Sequence, residues 1–130
     1  MSPLRMEIVV DPNGTTVIND TYNANPTSMK AALDSLSLLP CKGRKVAFLG
    51  LMAELGEKTS TAHVEVKRYA EELGIEVIAV ETDLYGEPSI TNLKDALTEI
   101  ENMQLGENDA LLFKASRVVG LEKIVKDIVT

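Results

Sequence analysis

Three polar segments combine residue types that could bind a charged ligand. The first, Asn19-Asp20-Thr21-Tyr22-Asn23-Ala24-Asn25-Pro26, leaves a β-prone run and enters a helical one. Its amides and carboxylate suit sugar hydroxyls or ring nitrogens, and the free N–H groups of a first helical turn attract anions. The same residues admit a structural use, with Asn25 capping the helix and Asn23 holding the turn. The second segment, Gly50-Leu51-Met52-Ala53-Glu54-Leu55-Gly56, sets one carboxylate between two glycines, and the sole histidine, His63, follows it. Glu54 could meet a substrate ammonium or a metal-linked water, or simply stand in solvent. His63 could touch a ligand or serve the fold, and no Ser or Cys nucleophile pattern surrounds it. The third, Lys114-Ala115-Ser116-Arg117, puts a mobile point charge and a planar guanidinium beside a hydroxyl. Such a set recognises phosphate or carboxylate, or else forms a basic rim on a sheet edge. No residue is assigned as a catalytic base or nucleophile, and no metal ligand set is assigned.

The elements around these segments place all three at the same kind of position. Met6–Val10 and Thr15–Asp20 are β-prone runs joined by Asp11-Pro12-Asn13-Gly14, and Asn-Gly favours a tight hairpin. Strand and helix then alternate: helix 26–39, strand 45–50, helix 61–73, strand 76–81, helix 92–102, strand 110–114 and helix 119–129. The strands carry apolar residues at consecutive positions, the mark of burial on both faces in a parallel sheet. Each helix shows one apolar stripe, as in Met29, Ala32, Leu33 and Leu36. Gly74 and Gly106 stand where left-handed residues close helices, and Asn25-Pro26 reads as N-cap and first-turn proline. The expected fold is α/β: one Rossmann-like three-layer domain over residues 1–130. Its sheet is mostly parallel with an N-terminal antiparallel hairpin, and helices cover both faces. Ligands of such sheets dock at the carboxyl ends of the strands, where all three polar segments fall, so they are expected to converge on one rim.

Composition narrows the function. The 130 residues are 45% hydrophobic and 25% charged, which suits one compact domain. A net charge of −7 argues against nucleic acid, whose binding runs on Lys and Arg displacing counterions. No apolar run is long enough to span a bilayer and the start lacks a signal-peptide pattern, so a cytoplasmic protein without a membrane partner is expected. Cys41, the sole cysteine, can form no internal disulfide and lacks the neighbouring ligands of a zinc site. No Gly-rich loop ending in Gly-Lys-Ser or Gly-Lys-Thr occurs, so the chain is not expected to be an ATPase by itself.

Taken together, Asp20-Thr21-Tyr22-Asn23-Ala24-Asn25-Pro26 with Ser28-Met29 and Ala31-Ala32-Leu33, Leu49-Gly50 with Met52-Ala53-Glu54-Leu55-Gly56, His63, and Lys114 with Ser116-Arg117 form one ordered set. In order and spacing it closely resembles the C-terminal domain of the Mur ligases, specifically the type that adds D-alanyl-D-alanine. The Tyr-Asn-Ala-Asn-Pro segment is the specific part, and the likeness runs from about Pro3 to the end. The resemblance implies an ATP-dependent, amide-forming reaction on UDP-N-acetylmuramoyl tripeptide, with ATP, D-Ala-D-Ala and that tripeptide as partners. It further implies an N-terminal UDP-sugar domain and a central ATPase domain, neither present in these 130 residues, with the ATPase domain holding most of the ATP and Mg2+ contacts. By the same resemblance Asp20, Tyr22, Asn23 and Asn25 face the nucleotide. Glu54, His63, Lys114, Ser116 and Arg117 lie toward substrate or phosphate. The isolated domain is then expected to be a monomer without activity, an excised part of a larger enzyme. Two residues depart from the family pattern: Leu51 stands where an acidic residue is usual, and Ala115 stands where glycine is usual.

Two rival classes share the strand and helix order. One is the terminal domain of a folylpolyglutamate or cyanophycin-type synthetase, against which the Tyr-Asn-Ala-Asn-Pro segment weighs. The other is a receiver or flavodoxin-like module, which needs a phosphoacceptor Asp ending its third parallel strand, where this chain has Ala79-Val80-Glu81-Thr82. A stand-alone interaction module that has lost catalysis is a third alternative.

Overall fold

The computed structural model describes residues 6–20, 24–92, 94–115 and 121–129. Two short strands open the chain, β1 (Glu7–Val10) and β2 (Thr16–Asp20), paired antiparallel with Val9 opposite Val17. Their turn is built from its own residues: Asp11 Oδ1 accepts from the N–H groups of Asn13 (2.8 Å) and Thr15 (2.9 Å). Gly14 supplies the positive φ, +84°, that the turn requires. Helix α1 (Pro26–Leu38) follows, entered through a reciprocal capping box. Asn25 Oδ1 accepts from Ser28 N at 2.8 Å, and Ser28 Oγ accepts from Asn25 N at 3.1 Å. A cap of this kind stabilises a helix by about 1 kcal/mol. At the other end Lys45 Nζ donates to the carbonyls of Ser37 and Leu39, satisfying acceptors the helix leaves open.

Next come β3 (Lys45–Leu49), a 3-10 turn (Gly56–Lys58), α2 (Thr59–Glu72), β4 (Glu76–Val80), β5 (Ser89–Ile90), α3 (Lys94–Met103), β6 (Ala110–Lys114) and α4 (Leu121–Val129). The six strands form one sheet in the order β1-β2-β6-β3-β4-β5, and every pairing except β1 with β2 is parallel. This is the expected mostly parallel sheet with an antiparallel hairpin. The last strand in sequence, β6, lies between β2 and β3.

Alternate residues of each central strand feed two separate cores. Ile18, Ala47, Leu49, Ala79 and Leu112 pack with α1 and α2 on one face. Val17, Phe48, Ile78, Leu111 and Phe113 pack on the other with apolar residues of α3 and α4, including Ala96, Leu97, Ile100 and Val125. The period of two within each strand, together with helices on both faces, is why these strands read as unbroken apolar runs. Among the described residues no helix is long and apolar enough to cross a membrane.

The amino edge of the sheet is closed by a tight loop contact. Asp109 accepts from Arg44 N (2.6 Å) and Gly106 N (2.9 Å), and Gly43 N donates to Asn108 O at 2.7 Å. A Cβ on Gly43 would stand 2.2 Å from Asp109 Oδ1 and 2.8 Å from Asn108 O, so the two loops close only over a glycine.

Local expectations differ from what forms at several points. Gly106 does not close α3; Gln104 takes the left-handed conformation there, at φ +53°. Helix α2 begins at Thr59 rather than Thr61, because the 3-10 turn leads directly into it. The strand β5 has no counterpart in the sequence reading, since a two-residue strand carries no measurable alternation.

Candidate functional site

The register of the sheet brings the strand ends leading into the three polar segments together at its carboxyl edge. Asp20 on β2 stands opposite Lys114 on β6, and Lys114 stands opposite Leu49 on β3. One residue on, Gly50 N donates to Lys114 O at 2.9 Å. The convergence depends on β6 lying between the other two strands.

At its centre Lys114 Nζ forms an ion pair with Asp20 Oδ2 at 2.9 Å. The lysine side chain is 3% exposed and the aspartate 14%. A lysine this buried needs a counter-charge, because losing its hydration costs several kcal/mol. Asn25 lies on the same side of the sheet as N-cap of α1, its side-chain oxygen taken by Ser28 N. Tyr22 and Asn23 of the first segment, and Ser116 and Arg117 of the third, lie outside the described residues. Ala115 is fully buried without a positive φ, so the glycine usual there is not required by this backbone.

The second segment crosses the edge from β3 to the 3-10 turn. Glu54 is exposed and left-handed, φ +63°, in a region that costs a non-glycine residue of order 1 kcal/mol. Met52, two residues earlier, is buried. His63, expected among the ligand contacts, is 0% exposed, and both its ring nitrogens are engaged within the domain. Nε2 accepts from Met52 N–H at 2.9 Å, which requires the proton on Nδ1, and Nδ1 donates to Thr59 O at 2.6 Å. In this geometry the ring offers a ligand nothing; it packs edge-on against Tyr85, with centroids 4.8 Å apart. Tyr85 is buried too, and its hydroxyl donates to Gly50 O at 2.8 Å. Burial raises the Tyr85 pKa and keeps the phenol a donor. Sequence reasoning passed over Tyr85; its one signal is an aromatic ring alone in the polar stretch from Glu81 to Ser89.

Burial also lowers the His63 pKa below the usual 6.5, only partly offset by the bond to Thr59 O. The unfolded chain therefore takes up a proton that the folded chain refuses. Stability is complete above about pH 6.5 and is expected to fall as the pH drops from there toward the folded-state pKa. Urea unfolding of wild type and His63→Gln between pH 7.5 and 5 checks this: wild type should lose stability more steeply than the variant. Parallel curves would mean that His63 is not the group responsible.

Comparison with known proteins bears on the family and the fold. Residues 4–117 match the family model described as Mur ligase, glutamate ligase domain. The UDP-N-acetylmuramoyl-tripeptide--D-alanyl-D-alanine ligase of Bacillus subtilis (strain 168) is 37% identical over 142 aligned positions, covering 97% of this chain and 30% of that ligase. A crystal structure of MurF from Acinetobacter baumannii superposes with a TM-score of 0.84 at 28% identity, over 99% of this chain and 30% of that one. The MurF ligase from Thermotoga maritima in complex with ADP gives 0.77 at 26% identity, over 97% and 30%. The chain thus spans about 30% of the length of these relatives. By its family match and its fold, the chain belongs to the Mur ligase, glutamate ligase domain family, with the architecture of the MurF C-terminal domain.

Proposed function

We propose that this chain serves as the C-terminal domain of an ATP-dependent ligase that joins D-Ala-D-Ala to UDP-N-acetylmuramoyl tripeptide in peptidoglycan precursor synthesis. One observation carries the reading: the strand ends that lead into the segments resembling the D-Ala-D-Ala-adding type lie side by side on one carboxyl edge, where Asp20, Lys114 and Leu49 stand in a row. The likeness to ligases of that name over nearly the whole chain supports the same substrate.

In such a reaction the tripeptide carboxylate attacks the γ-phosphate of ATP, giving an acyl phosphate and ADP. The amine of D-Ala-D-Ala then attacks the acyl carbon, phosphate leaves, and the amine gives up a proton as the amide forms. The part assigned to this domain is closure over the other two domains of the enzyme. Asp20, Tyr22, Asn23 and Asn25 would face the nucleotide. Glu54, Lys114, Ser116 and Arg117 would face phosphate or substrate. Closure keeps water from the acyl phosphate and aligns the amine with it, and positioning of this kind can supply most of a rate enhancement. Among the described residues no group of His, Cys, Asp or Glu is arranged to hold a metal ion. By the resemblance, Mg2+ is assigned to the ATPase domain with the nucleotide, and no step of this domain runs through it. A monomeric enzyme of the cytoplasm fits this reading.

Two experiments test it. Phosphate release by the complete ligase, supplied with ATP and UDP-N-acetylmuramoyl tripeptide, should depend on D-Ala-D-Ala and not on glutamate or another single amino acid. Turnover with a single amino acid instead would overturn the substrate assignment. The 130-residue chain alone has no Gly-Lys-Thr phosphate loop and is expected to release no phosphate under the same conditions. Measurable turnover by it would show that an ATPase site had been missed.

A further inference from the structure

We propose that His63 and Tyr85 are positioning residues for Glu54, holding the loop between β3 and α2 so that this carboxylate is presented on the carboxyl edge to the amino group of the incoming dipeptide. The proposal rests on the reading of that edge as the ligand face.

The support is geometric. The His63 ring bridges both sides of Glu54, accepting from Met52 N–H before it and donating to Thr59 O after it. Tyr85 fixes the loop one step further back, at Gly50 O, and its ring sets the orientation of the imidazole. Gly50 N is tied in turn to Lys114 O, so one set of bonds links the loop to the strand that carries the Lys114–Asp20 pair. Within the span, Met52 is buried and Leu55 packs partly against the core, while Glu54 between them is exposed. Lys58 N–H to Leu55 O and Thr59 Oγ1 to Gly56 O complete the turn. A left-handed glutamate persists only where its surroundings over-determine the backbone, and these bonds do so. A carboxylate held in this way accepts hydrogen bonds from an ammonium and fixes its approach, whereas the same carboxylate on a loose loop would first have to be ordered.

The test uses the complete ligase, with steady-state KM for D-Ala-D-Ala and for ATP measured on Glu54→Gln, His63→Phe, His63→Gln and Tyr85→Phe. Glu54→Gln and His63→Phe should each raise KM for D-Ala-D-Ala by about tenfold with KM for ATP unchanged, since a hydrogen bond to a charged group is worth roughly one to two decades of affinity. His63→Gln, whose amide oxygen can accept from Met52 N–H, should recover most of the loss. Tyr85→Phe removes one hydroxyl and keeps the ring, so it serves if His63→Phe does not fold; it should raise the dipeptide KM about threefold and speed hydrogen exchange at Met52. If Glu54→Gln raises the dipeptide KM while His63→Phe and Tyr85→Phe do not, the ligand face stands and the positioning role falls. If Glu54→Gln leaves that KM unchanged, the assignment of Glu54 is wrong and the proposal falls with it.

Discussion

Replacing Asp20 by alanine should destabilise the chain by about 3 kcal/mol, and replacing Lys114 by methionine by about 2 kcal/mol, because each removes the counter-charge of a group with little access to water. The order follows from burial. The lysine side chain is 3% exposed and the aspartate 14%, so Asp20→Ala strips the carboxylate from the more deeply buried charge. The double variant Asp20→Leu with Lys114→Met should recover much of the loss, since apolar residues can replace a buried pair at little or no cost. Urea midpoints of the four proteins measure this directly. Two single variants within about 0.5 kcal/mol of wild type would place the pair among surface ion pairs, which contribute little. The double variant also separates stability from function: in the complete ligase it should fold and yet bind nucleotide or phosphate poorly, because both charged groups are gone from the edge.

The largest loss is expected at Phe113, by about 4 kcal/mol for Phe113→Ala and about 1.5 kcal/mol for Phe113→Leu. Its ring is fully buried and stacks on Phe48, with centroids 5.1 Å apart and planes 12° apart. Both phenylalanines lie in the core on the α3 and α4 face, on the adjacent strands β6 and β3. Deleting one ring leaves a cavity in the middle of the sheet, where neighbours tied by ladder bonds on both sides can relax only partly. Phe113 is also the residue before Lys114, so Phe113→Ala should loosen the edge, visible as faster exchange at Gly50 N–H, whose acceptor is Lys114 O. Thermal or urea unfolding gives the energies. A loss below about 1 kcal/mol for Phe113→Ala would show that this core is not packed as described.

Much of the fold is legible because its signals are local. Consecutive apolar residues marked β3, β4 and β6 as strands buried on both sides, and Asn13-Gly14 marked the hairpin. Asn25-Pro26 marked the start of α1. What stayed hidden is set by long-range contacts. Nothing in the order of residues says that β6 inserts between β2 and β3, yet that insertion brings Asp20, Lys114 and Leu49 into one row. Gln104 rather than Gly106 takes the left-handed position because the helix ends two residues sooner than glycine placement suggests. His63 reads alike in sequence whether it meets a ligand or a backbone amide. It lies on the buried stripe of α2 with Val66 and Ala70, and its ring contact, Tyr85, comes more than twenty residues later in a polar stretch.

Hydrogen exchange on the complete ligase, with and without ATP, UDP-N-acetylmuramoyl tripeptide and D-Ala-D-Ala, tests the central claim most directly. Slowed exchange should gather in peptides covering residues 20–25, 50–56 and 114–117, with the opposite edge, residues 11–14 and 43–44, unchanged. Slowing confined to the opposite edge, or none at the three segments under saturating substrates, would contradict the carboxyl edge as the ligand face of this domain.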